Sequence, residues 1–206
     1  MRLIQYTDEN GQRRVGKVGD ADTVIALKGT DSVYALALRA AAENTSIAAL
    51  VSEFAGGAET SLLAVIDAGR ILTPIDHPVD DAHCIVSGTG LTHLGIGSAR
   101  DELLARFEQP ADTQANPGFE LLKQGYLQGK STQTGIGPQP EWFYRGDGGT
   151  LVATGQPLEL PDYAADGGDE AELAALYVVD RDGSPCRGGF ALANEFTDHR
   201  MEKRNS

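Results

Sequence analysis

The sequence predicts an α+β protein in which a small N-terminal α/β domain precedes a larger domain rich in β-structure. Short apolar runs flank a turn at Asn10-Gly11, a pattern typical of a β-hairpin, and a stretch rich in Ala and Leu follows. A strand-like segment also precedes Asp182-Gly183, another dipeptide that favours a hairpin turn. Residues 72–78 indicate an extended linker, because proline and the residue before it avoid helix. We therefore divide the chain into domains at residues 1–74 and 75–206.

The N-terminal domain contains three predicted strands followed by two predicted helices. The strands are expected at residues 3–6, 15–18 and 23–27. Asp31 provides an N-cap for the first helix, which continues to about Glu43 because apolar residues recur at helical spacing. The second helix covers residues 47–54 and ends where two consecutive glycines interrupt it.

The larger domain opens with a predicted strand at residues 83–87 and a glycine-rich loop at residues 88–97. This loop matches neither of the glycine patterns that bind phosphates, so we interpret it as a wall of a substrate site. Helices are expected after Ser98 and from Asn116-Pro117. Residues 125–140 indicate a long loop of a kind that is often functional. The aromatic residues at 142–144 are expected in the core.

Composition excludes several classes of partner. The chain of 206 residues carries a net charge of −13, which disfavours binding to nucleic acid or to an anionic membrane surface. Its two cysteines lack a CxxC spacing, and its first residues lack the apolar core of a signal peptide. We therefore expect a cytoplasmic protein with a small-molecule ligand, and an anionic ligand would need a local reversal of charge.

Three glutamates are predicted to converge. Glu170 and Glu172 lie two residues apart, so on a strand they share one face. If Asp182-Gly183 is a two-residue turn, Glu195 lies opposite Glu170. Like charges in that position are destabilising unless a cation lies between them, and ligands that offer only oxygen favour Mg²⁺, Mn²⁺ or Ca²⁺ over Zn²⁺. The alternative is a solvated acidic strand face without a metal.

Four stretches of the chain, taken in order, resemble the fumarylacetoacetate hydrolase family. They are residues 85–95, 137–148, 157–173 and 189–199. The resemblance implies a catalytic domain with a mixed β-roll and a metal, Mg²⁺ or possibly Mn²⁺, on Glu170, Glu172 and Glu195. The Gly-Thr-Gly-Leu-Thr-His loop and the Gln-Pro-Glu-Trp-Phe-Tyr segment look most like the sugar-acid branch, whose members dehydrate 2-keto-3-deoxy aldonates.

The chain departs from the family pattern in three respects. Glu195 stands where the family commonly has Asp, and His199 stands where an Arg usually follows. The resemblance also implies further strands and a lysine beyond Ser206, so we expect the catalytic domain to be incomplete. An inactive fragment or a binding module is therefore an alternative to an enzyme.

Other residues are assigned to catalysis and substrate binding. His93 is the first candidate for an acid or base, because histidine titrates near neutral pH, with a loop histidine bonded to the backbone as the alternative. Thr197 and His199 follow the third glutamate and are candidates to orient it or a metal-bound water. The substrate candidates are Arg145, Thr89 and Gly90. Arg145 would bind a carboxylate, unless it pairs with a neighbouring acidic side chain.

The expected reaction is a dehydration of a 2-keto-3-deoxy sugar acid, such as a pentonate of the arabinonate or xylonate type. The metal chelates the carboxylate and 2-keto oxygens and stabilises an enolate, and the C4 hydroxyl then leaves. The alternative reaction is hydrolysis of a carbon–carbon bond in an acylpyruvate or another 2,4-diketo acid. We expect a homodimer.

Overall fold

The computed structural model describes residues 1–54, 56–89, 105 and 142–205. Its strands are β1 Arg2–Thr7, β2 Arg13–Val18, β3 Thr23–Ala26, β4 Glu59–Ser61, β5 Ile85–Thr89, β6 Trp142–Asp147, β7 Ala171–Val179 and β8 Pro185–Asn194. Its α-helices are α1 Val33–Ala42, α2 Ile47–Glu53, α3 Leu62–Asp67 and α4 His199–Asn205. Single 3-10 turns occur at Asp20–Asp22, Asp81–His83 and Gly148–Thr150. The described part of the chain is therefore mixed α and β, with small sheets.

The chain has two compact units. One consists of Met1–Cys84 and Gly148–Ser206, and the other of Ile85–Asp147. The first contains the antiparallel sheet β1-β2-β3-β4 and the β7-β8 hairpin, and the second contains the pair β5-β6. The boundary that the sequence predicts between residues 74 and 75 stays a prediction.

The four-stranded sheet is covered by helices on both faces. One face packs against α1 and α2 through buried apolar side chains: Val15, Leu27, Val33, Leu36, Ala40, Leu50 and Val51. The other face packs against α3 through a second set: Tyr6, Val18, Val24, Val65 and Ile71. Because neighbouring residues of a strand point to opposite faces, Val15 and Val18 of β2 belong to different sets. The sheet is thereby buried on both sides.

A buried network of hydrogen bonds connects the segment after α3 to this sheet. The fully buried Gln5 donates to the carbonyl of Thr73 at 2.8 Å and to Asp76 at 3.0 Å, and it accepts from the backbone N–H of Val33 at 2.7 Å. Arg13 donates to both carboxylate oxygens of Asp76, at 2.9 and 2.7 Å. The predicted linker contains no helix between residues 72 and 78, and this network fixes its start.

The N-terminal predictions are confirmed apart from local details. The hairpin, the third strand and both helices are present, but Ser32 rather than Asp31 caps α1, with its Oγ accepting from the N–H of Ala35 at 3.3 Å. Sequence analysis missed β4 and α3, whose three and six residues are too short to show a periodic pattern.

Two predictions about the larger domain differ from the structure. Its first strand is present but spans Ile85–Thr89 and not residues 83–87, because residues 81–83 form a 3-10 turn. The aromatic residues of β6 are not in the core, since Trp142 is 58% exposed and Tyr144 is 73% exposed. Of the predicted helix after Ser98, the structure describes only residue 105, which is helical; the predicted helix from Asn116 and the loop at residues 125–140 lie outside the described residues.

The β7-β8 hairpin has the predicted pairing at one end and an unexpected turn at the other. The two-residue turn at Asp182-Gly183 is wrong, because Val179 pairs with Pro185 and Asp180 bonds to Ser184 across three intervening residues. The register then shifts between Leu176 and Tyr177, where β8 contains one extra residue. From Leu176 to Ala171 the pairing is the one that the sequence predicts.

Among the described residues, no helix has both the length and the apolar character needed to cross a membrane.

Candidate metal centre

The β7-β8 hairpin brings three carboxylates together at its open end. The N–H of Glu195 donates to the carbonyl of Glu170 at 2.8 Å, which confirms that these residues face each other. One carboxylate oxygen from each of Glu170, Glu172 and Glu195 lies within 4.8 Å of the others. Glu170 and Glu195 are partly buried, whereas Glu172 is exposed. The convergence follows from strand alternation, which puts Glu170 and Glu172 on one face.

Asn194 fixes the backbone that carries Glu170. Its side-chain carbonyl accepts from the N–H of Glu170 at 3.0 Å, and its amide donates to the carboxylate of Asp169 at 2.7 Å. A single amide thus bonds to two consecutive residues on the opposite strand. This holds the strand at the point where Glu170 leaves it.

The chain on both sides of the glutamates is tied together by a backbone pair and a helix cap. Gly168 and Thr197 exchange two backbone hydrogen bonds, of 2.7 and 3.0 Å. Asp198 then caps α4 by accepting from the N–H groups of Arg200 and Met201, at 3.0 and 2.9 Å. Burial opposes the ionisation of Asp198, yet these backbone donors prevail and hold its pKa below the usual value.

The first residue of α4 reaches the candidate metal centre. His199 Nε2 lies 2.9 Å from Glu170 Oε1, and both side chains are partly buried. The imidazole ring lies over Gly168, where a Cβ atom would overlap with the ring atoms Nδ1 and Cε1. The sequence predicts that His199 orients the third glutamate or a metal-bound water, whereas its contact is with the first glutamate.

The three glutamates fit a hard divalent cation. They offer only oxygen, the donor that Mg²⁺, Mn²⁺ and Ca²⁺ prefer. One oxygen from each lies within 4.8 Å of the other two, so the three carboxylates are close enough to contribute to a single cation site. Three like charges at this distance repel one another, and a cation between them removes that cost.

The remaining predicted site residues, apart from Thr197, lie outside the described residues or in the second compact unit. Gly90 and His93 lie outside the described residues. Thr89 ends β5 and Arg145 lies in β6, so both belong to the second compact unit. The guanidinium of Arg145 lies 5.3 Å from the centre of the Phe143 ring. Their roles, and the catalytic role of Thr197, stay predictions.

Solved structures of 2-keto-3-deoxy-D-arabinonate dehydratase are similar to the whole chain. One is a complex with magnesium and 2,5-dioxopentanoate, with a TM-score of 0.58 and 18% sequence identity. Another is the apo form, with a TM-score of 0.57 and 19% identity. The chain has the fold of these dehydratases. Each comparison covers 100% of this chain, which spans 58% of the length of the dehydratase chain. No protein-family model matches the chain, and no curated protein matches it.

Sequence reasoning missed how the glutamates of this dehydratase-like fold are supported. The contact between His199 and Glu170 depends on a glycine two residues before Glu170 and on a helix that begins at His199 itself. The adjacent pattern Thr197-Asp198-His199 does contain a signal, because Asp is a preferred N-cap residue. The direction in which the helix leaves the hairpin cannot be read from that signal.

Proposed function

We propose that the protein catalyses the divalent-metal-dependent dehydration of a 2-keto-3-deoxy sugar acid, as a member of the sugar-acid branch of the fumarylacetoacetate hydrolase family. The observation that carries the proposal is the convergence of Glu170, Glu172 and Glu195 within 4.8 Å, in a chain with the fold of 2-keto-3-deoxy-D-arabinonate dehydratase. One dehydratase structure is a complex with magnesium and 2,5-dioxopentanoate. We propose Mg²⁺ as the cofactor here as well, with Mn²⁺ as a substitute.

The chain's own residues would bind the cation and set its surroundings. Glu170, Glu172 and Glu195 would hold Mg²⁺. Three carboxylate ligands fill only part of the coordination that Mg²⁺ accepts, which would leave positions for substrate oxygens. When bound, Mg²⁺ supplies positive charge that attracts the carboxylate and 2-keto oxygens of the substrate and makes the C3 proton more acidic. This positive charge also offsets, at the site, the protein's net charge of −13, which would otherwise repel an anionic keto acid.

The reaction requires a base for the C3 proton and an acid for the departing C4 hydroxyl, which leaves as water. We propose His93 and Thr197 for the proton transfers, and Arg145, Thr89 and Gly90 for substrate binding. With a 2-keto-3-deoxypentonate, loss of the C3 proton and the C4 hydroxyl gives a 3,4-unsaturated 2-keto acid that keeps its hydroxyl at C5. Removal of a C5 proton, protonation at C3 and tautomerisation of the resulting C4–C5 enol then give the isomeric 2,5-dioxopentanoate, the compound bound in the similar dehydratase. A pentonate of the arabinonate or xylonate type is therefore the substrate that we propose.

The experiment compares two substrate classes with the purified 206-residue chain. In the presence of Mg²⁺, we expect 2-keto-3-deoxy-D-arabinonate, which is the same compound as the 2-keto-3-deoxy acid formed from D-xylonate, to yield 2,5-dioxopentanoate, measured as aldehyde by NMR. We expect no cleavage of acylpyruvates. Cleavage of acylpyruvates without dehydration would instead indicate the carbon–carbon hydrolase. Binding of metal without turnover of either class would favour the binding module.

Matched variants connect activity to the metal centre. Glu170→Gln and Glu195→Gln keep the shape of the side chain but remove a charge, and each should lower dehydration by about 100-fold or more because the ligand charge is lost. Glu59→Gln, exposed on β4 of the four-stranded sheet, should leave the rate unchanged. Full activity in both site variants would contradict the proposal. We also propose a cytoplasmic homodimer, which light scattering after gel filtration would detect.

A further inference from the structure

We propose that His199 is a positioning residue for the metal ligand Glu170. We also propose that Gly168, which has no side chain, leaves the space in which the His199 ring reaches Glu170. This inference rests on the proposed metal centre. His199 Nε2 lies 2.9 Å from Glu170 Oε1. An ionised carboxylate only accepts hydrogen bonds, so Nε2 carries the proton and donates it.

Gly168 provides the space that the imidazole occupies. Gly168 and Glu170 lie two residues apart on the extended segment that leads into β7, so their side-chain positions share one face. A Cβ atom at position 168 would overlap with Nδ1 and Cε1 of the His199 ring. The ring therefore fills the place of a side chain next to Glu170, and any residue other than glycine would expel it.

The backbone around His199 is held independently of the metal. The two hydrogen bonds between Gly168 and Thr197 fix the segment that precedes the helix. Asp198 caps α4 and also accepts from the N–H of Ala165 at 2.6 Å. His199 thus begins the helix from a position tied on both sides to the segment that carries Glu170. The imidazole is preorganised to meet the carboxylate.

The hydrogen bond from His199 determines how Glu170 presents itself to a cation. It engages one oxygen of the carboxylate and so limits rotation of the group, which leaves the rest of the carboxylate free to bind metal in one orientation. Removing a residue that orients a metal ligand in this way typically lowers metal affinity by about 10- to 100-fold. We expect the same loss here when the imidazole is removed or displaced.

The first measurement is the Kd for Mn²⁺, obtained from the EPR signal of free Mn²⁺ titrated with the 206-residue chain. His199→Ala should weaken binding by about 10- to 100-fold. His199→Gln places an amide N–H near the position of Nε2 and should recover most of the affinity. A purely structural role for the ring would not be rescued by Gln. Equal affinity of native protein and His199→Ala would overturn the proposal.

The second measurement uses two glycines of the same hairpin. Gly168→Ala should weaken Mn²⁺ binding as much as His199→Ala does, because the ring must move. Gly189→Ala, where an added Cβ meets nothing within 4 Å, should not. In the His199→Ala background, Gly168→Ala should have no further effect, since the group that it displaces is gone. Additive effects of the two substitutions would overturn the role given to Gly168. Far-UV circular dichroism checks folding, and if Gly168→Ala fails to fold, the His199 variants decide alone.

Failure of this inference is distinguishable from failure of the metal centre. Glu170→Ala should abolish Mn²⁺ binding whether or not His199 matters. If Glu170→Ala loses Mn²⁺ while His199→Ala and Gly168→Ala bind it as the native protein does, the metal centre stands and the positioning role is wrong. If the native protein binds no Mn²⁺, both are wrong.

Discussion

At the scale of single residues, Asp76 shows how a charge stabilises the N-terminal sheet. Burial raises the pKa of Asp76, but hydrogen bonds from Arg13 and Gln5 outweigh it and hold the pKa below its usual value. The side chain remains only 20% exposed. A carboxyl group whose pKa is lower in the folded state stabilises the fold at every pH above its unfolded value of about 3.9. That stability is lost as the pH falls through the folded pKa.

We therefore expect Asp76→Asn to lower the free energy of unfolding at pH 7 by about 1–2 kcal/mol, a moderate value because the pair is partly solvated. The difference between native protein and variant should shrink as the pH falls below about 4. Urea unfolding at a series of pH values from 7 to 3 measures this difference in the free energy of unfolding. Asp162→Asn, on an exposed loop, should change the pH 7 value by less than about 0.5 kcal/mol. A difference for Asp76→Asn that stays constant down to pH 3 would contradict this account.

At the scale of elements, two adjacent residues compete for the start of α1. Sequence analysis favoured Asp31, but the buried Ser32 accepts the N–H of Ala35 while Asp31 is exposed. Ser32→Ala should lower the free energy of unfolding by about 1 kcal/mol, the usual loss when an N-cap is removed. Asp31→Ala should lower it by only a few tenths of a kcal/mol, because Asp31 acts on the helix dipole alone. Thermal unfolding of the two variants side by side measures both, and a larger loss for Asp31→Ala would reverse the assignment.

The β7-β8 hairpin shows which parts of an element can be predicted from the sequence. The facing of Glu170 and Glu195 was predicted correctly, yet from a two-residue turn that does not exist. The real turn has Asp180 at its first position and Gly183 at its fourth, with a φ of 80° at Gly183. That turn alone would have shifted Glu195 by one residue onto the other face. The extra residue in β8 restores the pairing.

The turn could have been recognised, whereas the bulge could not. Asp180 accepts from the N–H groups of Asp182 and Ser184, at 2.9 and 2.8 Å, and Asp at the first position is a local signal for this turn. The bulge depends instead on how β8 packs. A Cβ atom at Gly188 would lie 3.6 Å from Ile47 of α2 and 3.7 Å from Ala37 of α1. Contacts between residues that distant in the sequence are set by the tertiary fold. The exposure of Trp142 and Tyr144 is likewise not a local property.

At the scale of the whole molecule, the acidic centre links stability to metal concentration. The chain has a net charge of −13, and three of its carboxylates lie within 4.8 Å of one another. Without a divalent cation their repulsion opposes folding, because like charges facing each other across strands are destabilising. A ligand that binds only the folded state stabilises it by about 2.7 kcal/mol at 100 times its Kd. Mg²⁺ should therefore raise the Tm of the native protein by about 5–10 °C.

For Glu172→Gln, we expect the Tm relative to the native protein to change in opposite directions without and with Mg²⁺. Glu172→Gln removes the exposed member of the three, so without Mg²⁺ its Tm should exceed that of the native protein by about 1–3 °C. With Mg²⁺ the order should reverse, because the variant has lost a ligand charge and gains little from the ion. Glu59→Gln, exposed on β4, removes the same charge elsewhere and should keep the full response to Mg²⁺. NaCl at equal ionic strength separates screening from binding. A Glu172→Gln variant that loses Tm without Mg²⁺ and keeps the full rise with it would mean that these carboxylates neither repel one another nor share a cation.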